Sequence, residues 1–582
     1  MSDTASAQLD CDVLIIGAGP TGLALACELL RHGLSCRILD AVENPTTFSK
    51  AQILHTRTLE VLEQMGLVED FLKKGRALHL LSMYTPDLRR IFHFTVGEFD
   101  SAYPYMLSLP QHDTEQILID HLAKHGVIVE RPFHVERLQQ EDGSVLVFGT
   151  RGPQQTPAQV RAAWAVGCDG ANSVVRHELN IPWQGSTYRQ RVLQADVKLE
   201  WPLYHAEDEV FGFVSEHGSL GVFPLPAEGR YRLVALDAGL SPTPENFQYL
   251  LNTRGPKEAR ITDAAWLHEY TIHCRLATAF RQGRVFLAGD AAHTLSPSTA
   301  QGMNLGIQDA FNLAWKLALV HKHIGRDILL DSYEAERSPV AAELMKTSDL
   351  ATRGLNDLFT LHGSLAQSMR NSLLQLVSEF GLVRRSISRN LSMLDLGYPN
   401  SPIVDQHHAS RLTRARGASA EALSAGPKGT GANIGLRQWL DFGHGPSPGQ
   451  RAFDGRALDV TSNQKRSLYS LLHSGQHLLL LFAGTVETED GYRRLVAIGK
   501  HLRERHPSAI SVYLVEATLH SETPADPSWD GPTLLDEDGW LHQTYGARAE
   551  CLYLIRPDGH VAFRSQPADP IKLNEFLARV FI

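Results

Sequence analysis

The sequence predicts an α/β chain of more than one domain, built on a parallel sheet into which an antiparallel sheet is inserted. Three stretches carry that expectation. Residues 11–40 read as strand, glycine-rich turn, helix, strand and acid. Residues 183–275 hold a series of short strand-like runs separated by polar turns, the pattern of antiparallel strands. Residues 416–435, RGASAEALSAGPKGTGANIG, break the composition, and strands alternating with helical stretches resume beyond them.

A chain of 582 residues has room for two or three domains. Its composition is that of a soluble protein, 43% hydrophobic and 21% charged, and its net charge of −10 argues against a general binder of nucleic acid or anionic membranes. The opening residues MSDTASAQLDCD lack a basic region followed by an apolar one, so no signal peptide is expected. Apolar runs such as HLLLLFAG at 477–484 are too short to span a bilayer. The cysteines at 11, 27, 36, 168, 274 and 551 form no C-x-x-C pair, so neither a metal site nor a disulfide framework is expected and the cytoplasm is the default compartment.

The most specific segment is CDVLIIGAGPTGLALACELLRHGLSCRILD. An apolar run, Cys11–Ile16, leads into Gly17-Ala18-Gly19-Pro20-Thr21-Gly22. Leu23, Ala26, Leu29 and Leu30 then recur at helical spacing up to Gly33. A second run, Cys36–Leu39, ends in Asp40. This is the context a dinucleotide fingerprint requires. Gly17 permits a tight turn, Gly19 lets backbone approach a pyrophosphate, and Gly22 lets the helix pack on the strand. The helix start at Pro20 and Thr21 offers free N–H groups and a positive dipole to phosphate. Asp40 is placed to accept from a ribose hydroxyl.

Two later segments narrow the reading. VGCDGANSVVR at 166–176 puts Asp169 after an apolar stretch, and GRVFLAGDAAH at 283–293 puts Gly289 and Asp290 at the end of another. With RTLEVLEQMGL at 57–67, LPQHDTEQIL at 109–118, DAFNLAWKL at 309–317 and LLDSYEAERSPVA at 329–341, this order resembles the class A FAD-dependent aromatic monooxygenases, over about residues 10–345. The resemblance implies that Gly17, Gly19, Gly22 and Asp40 hold the ADP half of FAD. It implies that Lys50 reaches phosphate or nicotinamide and that Gln111 contacts the ribityl region. It gives Asp169 a part in FAD and NAD(P)H binding, and Asp290 a hydrogen bond from the cofactor arm. Pro297 would lie near the reactive edge of the flavin. Ala300, Gln301, Gly302, Met303 and Asn304 would approach its pyrimidine end, with a helix from about Asn304 aimed at it. Relatives carry P-x-G-G-Q-G where this chain has Pro297-Ser298-Thr299-Ala300-Gln301-Gly302. If that turn needs a positive φ, Ala300 carries strain.

The same resemblance implies a discontinuous Rossmann-like FAD-binding domain, like that of 4-hydroxybenzoate hydroxylase, at 1–80, 108–182 and 276–345. Residues 81–107 and 183–275 make the inserted substrate-binding sheet, 346–415 a helical segment, and 416–435 a linker or mobile loop. Residues 436–582 resemble the thioredoxin-like C-terminal domain of the phenol and polyketide hydroxylase branch. They lack C-x-x-C, so dithiol exchange is not expected of them.

The implied chemistry is hydroxylation of a phenolic or polycyclic aromatic by a flavin C4a-hydroperoxide, with NADPH or NADH as reductant and O₂ as co-substrate. A Baeyer–Villiger or epoxidising monooxygenase, or a non-catalytic flavin-binding protein, remains open. So do a monomer and a homodimer. The W-x-W-x-I-P motif of the flavin halogenases is absent. For the proton-handling group, Gln52 can only hydrogen-bond, while His55 suits a relay. Tyr270 comes first and His273 second in EYTIHCRLA, and strand alternation puts those two on opposite faces. Arg230 and Arg232 read as residues of a sheet surface. Tyr103 and Tyr105 read as shaping the pocket.

Overall fold

A computed structural model describes residues 8–45, 51–97, 100–237, 239–359, 368–372, 374–375, 381–408, 441–486, 488, 490–517 and 528–582. Lys50 and the 416–435 stretch lie outside the described residues. The chain divides into two compact units, Met1–Ala314 with Arg337–Leu394, and Trp315–Glu336 with Asp395–Ile582.

The parallel sheet of the first unit centres on Cys11–Ile16, which pairs in parallel with Thr156–Gly167 on one side and Cys36–Leu39 on the other. Val285–Leu287 and Val129–Glu130 extend it, also in parallel. Val13, Leu14 and Ile15 are fully buried, as a strand covered on both faces demands. The helix Pro20–Arg31 follows at once and buries Leu23, Leu25, Ala26 and Leu29. It stops at Gly33, whose φ of +72° lets its N–H reach the Leu30 carbonyl and the Leu34 N–H reach that of Leu29.

A second sheet of eight strands contains Trp183–Glu200, Glu209–Ser215, Gly218–Pro224, Arg230–Asp237 and Arg260–Ala277. Leu80–Tyr84 and Arg90–Thr95 join its edge, the first of them in parallel with Glu209–Ser215. Alternation divides its faces. Leu193, Ala195, Val197, Leu233, Ala235, Phe211 and Val222 pack with Phe247, Leu250 and Leu251 of the helix Pro244–Arg254. Gln194, Asp196, Arg232, Val234 and Phe223 take the other face, in register across the strands. A three-stranded sheet of Ile53–Leu54, Arg76–Leu78 and Met106–Ser108 completes the β-structure that bears on the site.

The second unit carries its own eight-stranded mixed sheet. His477–Phe482 pairs in parallel with Ile510–Ala517 and antiparallel with Cys551–Ile555, which turns back on Val561–Gln566. Asp405–His408 is a further strand of this sheet, so the helical reading of 346–415 ends early. The Asp405–His408 backbone satisfies its hydrogen bonds along Val561–Gln566, which local helical propensity does not foresee. Within the unit, Glu336 accepts from Lys316 at 2.7 Å and from Arg556 at 2.6 Å, and Arg556 also pairs with Asp558. All four charges are shut away from water, two of each sign, so each is paired in the only way burial allows.

Candidate active site

The first unit holds a half-open cavity of about 700 Å³. One wall is the glycine turn. A Cβ on Gly17, at φ +103°, would stand 2.4 Å from the Cys168 carbonyl oxygen, and one on Gly22 would stand 2.1 Å from that of Gly17. Only hydrogen fits at either place. A Cβ on Gly19, Gly170 or Gly302 would meet nothing within 4 Å, and all three line the cavity. Gly19 precedes the helix without any side-chain cap, so the N–H groups of the first turn are left for another acceptor. Pro20 and Thr21 line the cavity beside it. Thr21 also fills space that only glycine leaves: its Oγ1 would lie 2.4 Å from a Cβ on Gly289 and 2.2 Å from one on Gly306.

Around this cradle stand Gln111, Asp169 and Asp290, all lining residues. Asp169 Oδ2 accepts from the Val175 N–H at 3.1 Å, whereas its buried Oδ1 has no partner among the described residues. Burial raises the Asp169 pKa, an expense that a hydroxyl donor on Oδ1 would offset. Gln111 donates to Glu115 at 2.8 Å from the first turn of the helix Gln111–Lys124. Asp40 is not a lining residue. Its Oδ2 accepts from the Ala18 N–H and from Arg131, each at 3.1 Å, and Oδ1 from the Val42 N–H at 3.0 Å. The structure therefore shows Asp40 bracing the turn.

A residue that sequence reasoning missed holds Asp290 in place. Asp309, fully buried, accepts from the Gly289 N–H at 3.0 Å and pairs with His293 at 2.6 Å, both through Oδ2. Its Oδ1 accepts from Arg337 Nε at 2.6 Å. Burial alone would raise its pKa, but Arg337 and His293 more than offset that, and the carboxyl stays below the ordinary range. Asp290 and its flanking glycine are thereby fixed between two ends of one buried network. An aspartate inside the apolar helix pattern of DAFNLAWKL was the available signal.

The turn before the long helix has the strain its sequence implied. Pro297–Thr299 is a single 3₁₀ turn, and Ala300 follows in the left-handed region at φ +52°. The helix Gly302–His321 begins two residues ahead of the expected Asn304. Asn304 is instead a clamp inside it. Its amide donates to the carbonyls of Ile53 at 2.8 Å and Ala300 at 2.9 Å, and its Oδ1 accepts from the His55 N–H at 2.8 Å. His55 is buried and bonds the Thr299 carbonyl through Nε2 at 3.0 Å. It supports the turn from behind and is not a lining residue. Burial pulls its pKa down to about 4, so the ring is neutral at physiological pH. Gln301 is also turned away, donating to the Asn390 carbonyl at 3.0 Å, whereas Pro297, Ala300, Gly302 and Met303 line the cavity.

The opposite wall is the antiparallel sheet. Gln194, Phe223, Arg232, Val234 and Tyr270 face the cavity, with Gln52 from beside the short strand Ile53–Leu54. Arg232 is no surface residue. It is 1% exposed, bonds Asp196 through Nε at 2.6 Å and Nη2 at 2.7 Å, and stands 5.3 Å over the Trp266 ring. Alternation assigned its face but could not show that this face is covered. Arg230 pairs with Asp263. Tyr270 and His273 both line the cavity, against the expectation of opposite faces. Tyr270 still packs with Ile272 and Cys274 as alternation requires, and a register shift between Thr187 and Arg191 lies opposite Thr271 and His273. His273 Nδ1 pairs with Thr187 Oγ1 at 2.9 Å. Burial pushes the Tyr270 hydroxyl up to about 12, so it stays protonated and can donate. Tyr103 and Tyr105 are not lining residues.

Open glycine faces, an uncapped helix start and an orphaned carboxylate oxygen fit the phosphates and hydroxyls of a dinucleotide. Residues 10–348 match the family model of the FAD binding domain. The chain belongs to this FAD-binding family. Over 561 residues it is 33% identical to the 6-methylpretetramide 4-monooxygenase of Streptomyces rimosus, covering 95% of this chain and 90% of that one. The pentachlorophenol 4-monooxygenase of Sphingobium chlorophenolicum is 34% identical over 364 residues, 61% of this chain and 66% of its own length. The solved OxyS anhydrotetracycline hydroxylase of Streptomyces rimosus superposes with a TM-score of 0.70 at 27% identity, covering 98% of this chain and 99% of that one.

Two outcomes follow for this FAD-binding protein. Replacing Ala300 by glycine relieves the left-handed strain and raises the unfolding free energy by roughly 0.5–1 kcal/mol, read by denaturant titration; a glycine variant less stable than the parent contradicts the strain. The His55 ring stays neutral in the fold down to about pH 4, against an ordinary value of 6.5. The unfolded chain takes up that proton first, so stability falls as pH drops through this window. His55→Gln keeps a donor toward Thr299 and removes the titration. Its stability falls less steeply between those pH values, by up to about one proton per molecule.

Proposed function

We propose that this chain is an FAD-dependent monooxygenase that hydroxylates a phenolic or polycyclic aromatic substrate, consuming NAD(P)H and O₂, in the cytoplasm as a monomer or homodimer. The carrying observation is the shape of the cavity: a glycine cradle on one side opens directly, without a partition, onto a sheet wall of amide, guanidinium, phenol and apolar groups. Bound FAD would supply the redox step and the activation of oxygen. The named activities of the relatives, on an aromatic polyketide and a chlorinated phenol, support this reading.

The residues then divide the work. The N–H groups at Thr21 and Gly22 receive the phosphates, with Gly19 leaving room for their approach. Asp169 Oδ1 accepts from a cofactor hydroxyl, and Asp290 meets the cofactor arm. The start of the helix Gly302–His321 would offer its positive dipole to the bound flavin. On the substrate side Tyr270 donates to a substrate oxygen, and His273, oriented by Thr187, moves a proton between that oxygen and solvent. Phe223 and Val234 keep water from the ring. The cofactor roles of Gln111 and Met303 rest on their place in the same lining.

Purified protein is expected to carry FAD and to consume NADPH or NADH and O₂ when given phenols or polycyclic phenols. The product is expected to gain one oxygen atom by mass. Asp169→Ala is expected to weaken FAD binding about tenfold or more, the worth of one charge-assisted hydrogen bond. Colourless protein, with no flavin released on denaturation and none bound on titration, would sink the proposal.

A further inference from the structure

The Gln52 side chain borders the cavity, and the arrangement above gives it no part. It is 5% exposed, and neither Oε1 nor Nε2 has a hydrogen-bond partner among the described residues. Its backbone is held firmly. The Gln52 carbonyl accepts from the Leu109 N–H at 2.7 Å, and the Ala51 carbonyl before it accepts from the Gln111 N–H at 3.0 Å. Asn304 anchors Ile53 after it. A buried amide with both ends unsatisfied is costly, so the pair of functions calls for a partner. Here the amide borders a cavity large enough to admit one.

Resting on the reading of the cavity as a substrate site, we propose that Gln52 selects the substrate by a neutral donor–acceptor edge. A primary amide offers one acceptor and one donor group side by side. Its complement is a group with the same two functions reversed: a ring carboxamide, or a carbonyl flanked by a hydroxyl or N–H. A carboxylate is the wrong partner. It has acceptors only, so one of its oxygens would face Oε1. The cavity also offers it no free guanidinium or ammonium among the described lining residues. Arg232 is the one arginine or lysine there, and Asp196 already matches its charge through two short bonds. The substrate therefore enters with its recognition group uncharged.

Three probes with a common ring system separate these cases: 1-hydroxy-2-naphthamide, 1-hydroxy-2-naphthoate and 1-naphthol. Binding to the FAD-loaded protein is read from the perturbation of flavin absorbance, and FAD occupancy is measured alongside. The parent is expected to bind the naphthamide about tenfold more tightly than 1-naphthol, with the naphthoate weakest. Gln52→Leu, which keeps the volume and removes both functions, is expected to bring the naphthamide to the level of 1-naphthol with FAD occupancy unchanged. Gln52→Met serves as a second variant if the leucine protein is misfolded by circular dichroism. A parent without preference for the naphthamide overturns the proposal. So does a leucine or methionine variant that keeps the preference, or one that loses FAD while binding the probes as before, since the amide then belongs to the cofactor. If the parent carries no FAD the proposed function fails instead, and calorimetry with the same probes still decides the role of Gln52.

Discussion

Asp309 accepts hydrogen bonds from Gly289, His293 and Arg337 with no exposure to water, and the cavity is organised around that carboxylate. A buried carboxylate survives only when paired and fully bonded. Here the requirement is met by a backbone N–H at the end of a parallel strand, an imidazole on the next segment, and a guanidinium from a separate helix. Satisfying one charge thus fixes three pieces of chain. The loop carrying Asp290 is set by this network, and so is the start of the Gly302–His321 helix, because Arg337 also donates to the Leu305 carbonyl at 3.0 Å.

The two sides of the cavity are made by different physical means. On the dinucleotide side the constraint is steric. Gly17, Gly22, Gly289 and Gly306 exist because backbone or Thr21 stands where a Cβ would go. The strained Ala300 turn belongs to the same side and is held by hydrogen bonds from His55 and Asn304, both buried. On the sheet side the constraint is polar satisfaction. Arg232 is neutralised by Asp196, Tyr270 stays protonated, and the amides of Gln52 and Gln194 border the space that an aromatic ring would fill.

Much of this was legible from residue types alone. The glycine turn reads clearly because Gly17 and Gly22 leave no room for a Cβ, and the antiparallel sheet reads clearly because one of its faces packs against the Pro244–Arg254 helix. The replaced glycines raised the question of a positive φ at Ala300, and the structure has it there, with Thr299 in the preceding 3₁₀ turn. Other features were hidden for physical reasons. Asp309 finds Arg337 28 residues away and His293 16 away, and no local pattern encodes such pairs. Alternation places Arg232 on a face without saying what covers it. The shift of register opposite Thr271 and His273 leaves no mark in the sequence. His55 has the right chemistry for a relay, and its Nε2 bonds the Thr299 carbonyl, a partner 244 residues away that no local pattern announces.

The most direct test of this account is the FAD dissociation constant of Asp309→Ala, titrated into flavin-free protein shown to be folded by circular dichroism. Losing the carboxylate frees the Gly289 N–H and takes from buried Arg337 the acceptor of its Nε. The account predicts FAD binding weakened at least about tenfold, with the Gly289–His293 segment exchanging its amide hydrogens faster. A folded Asp309→Ala protein that binds FAD as tightly as the parent would contradict it.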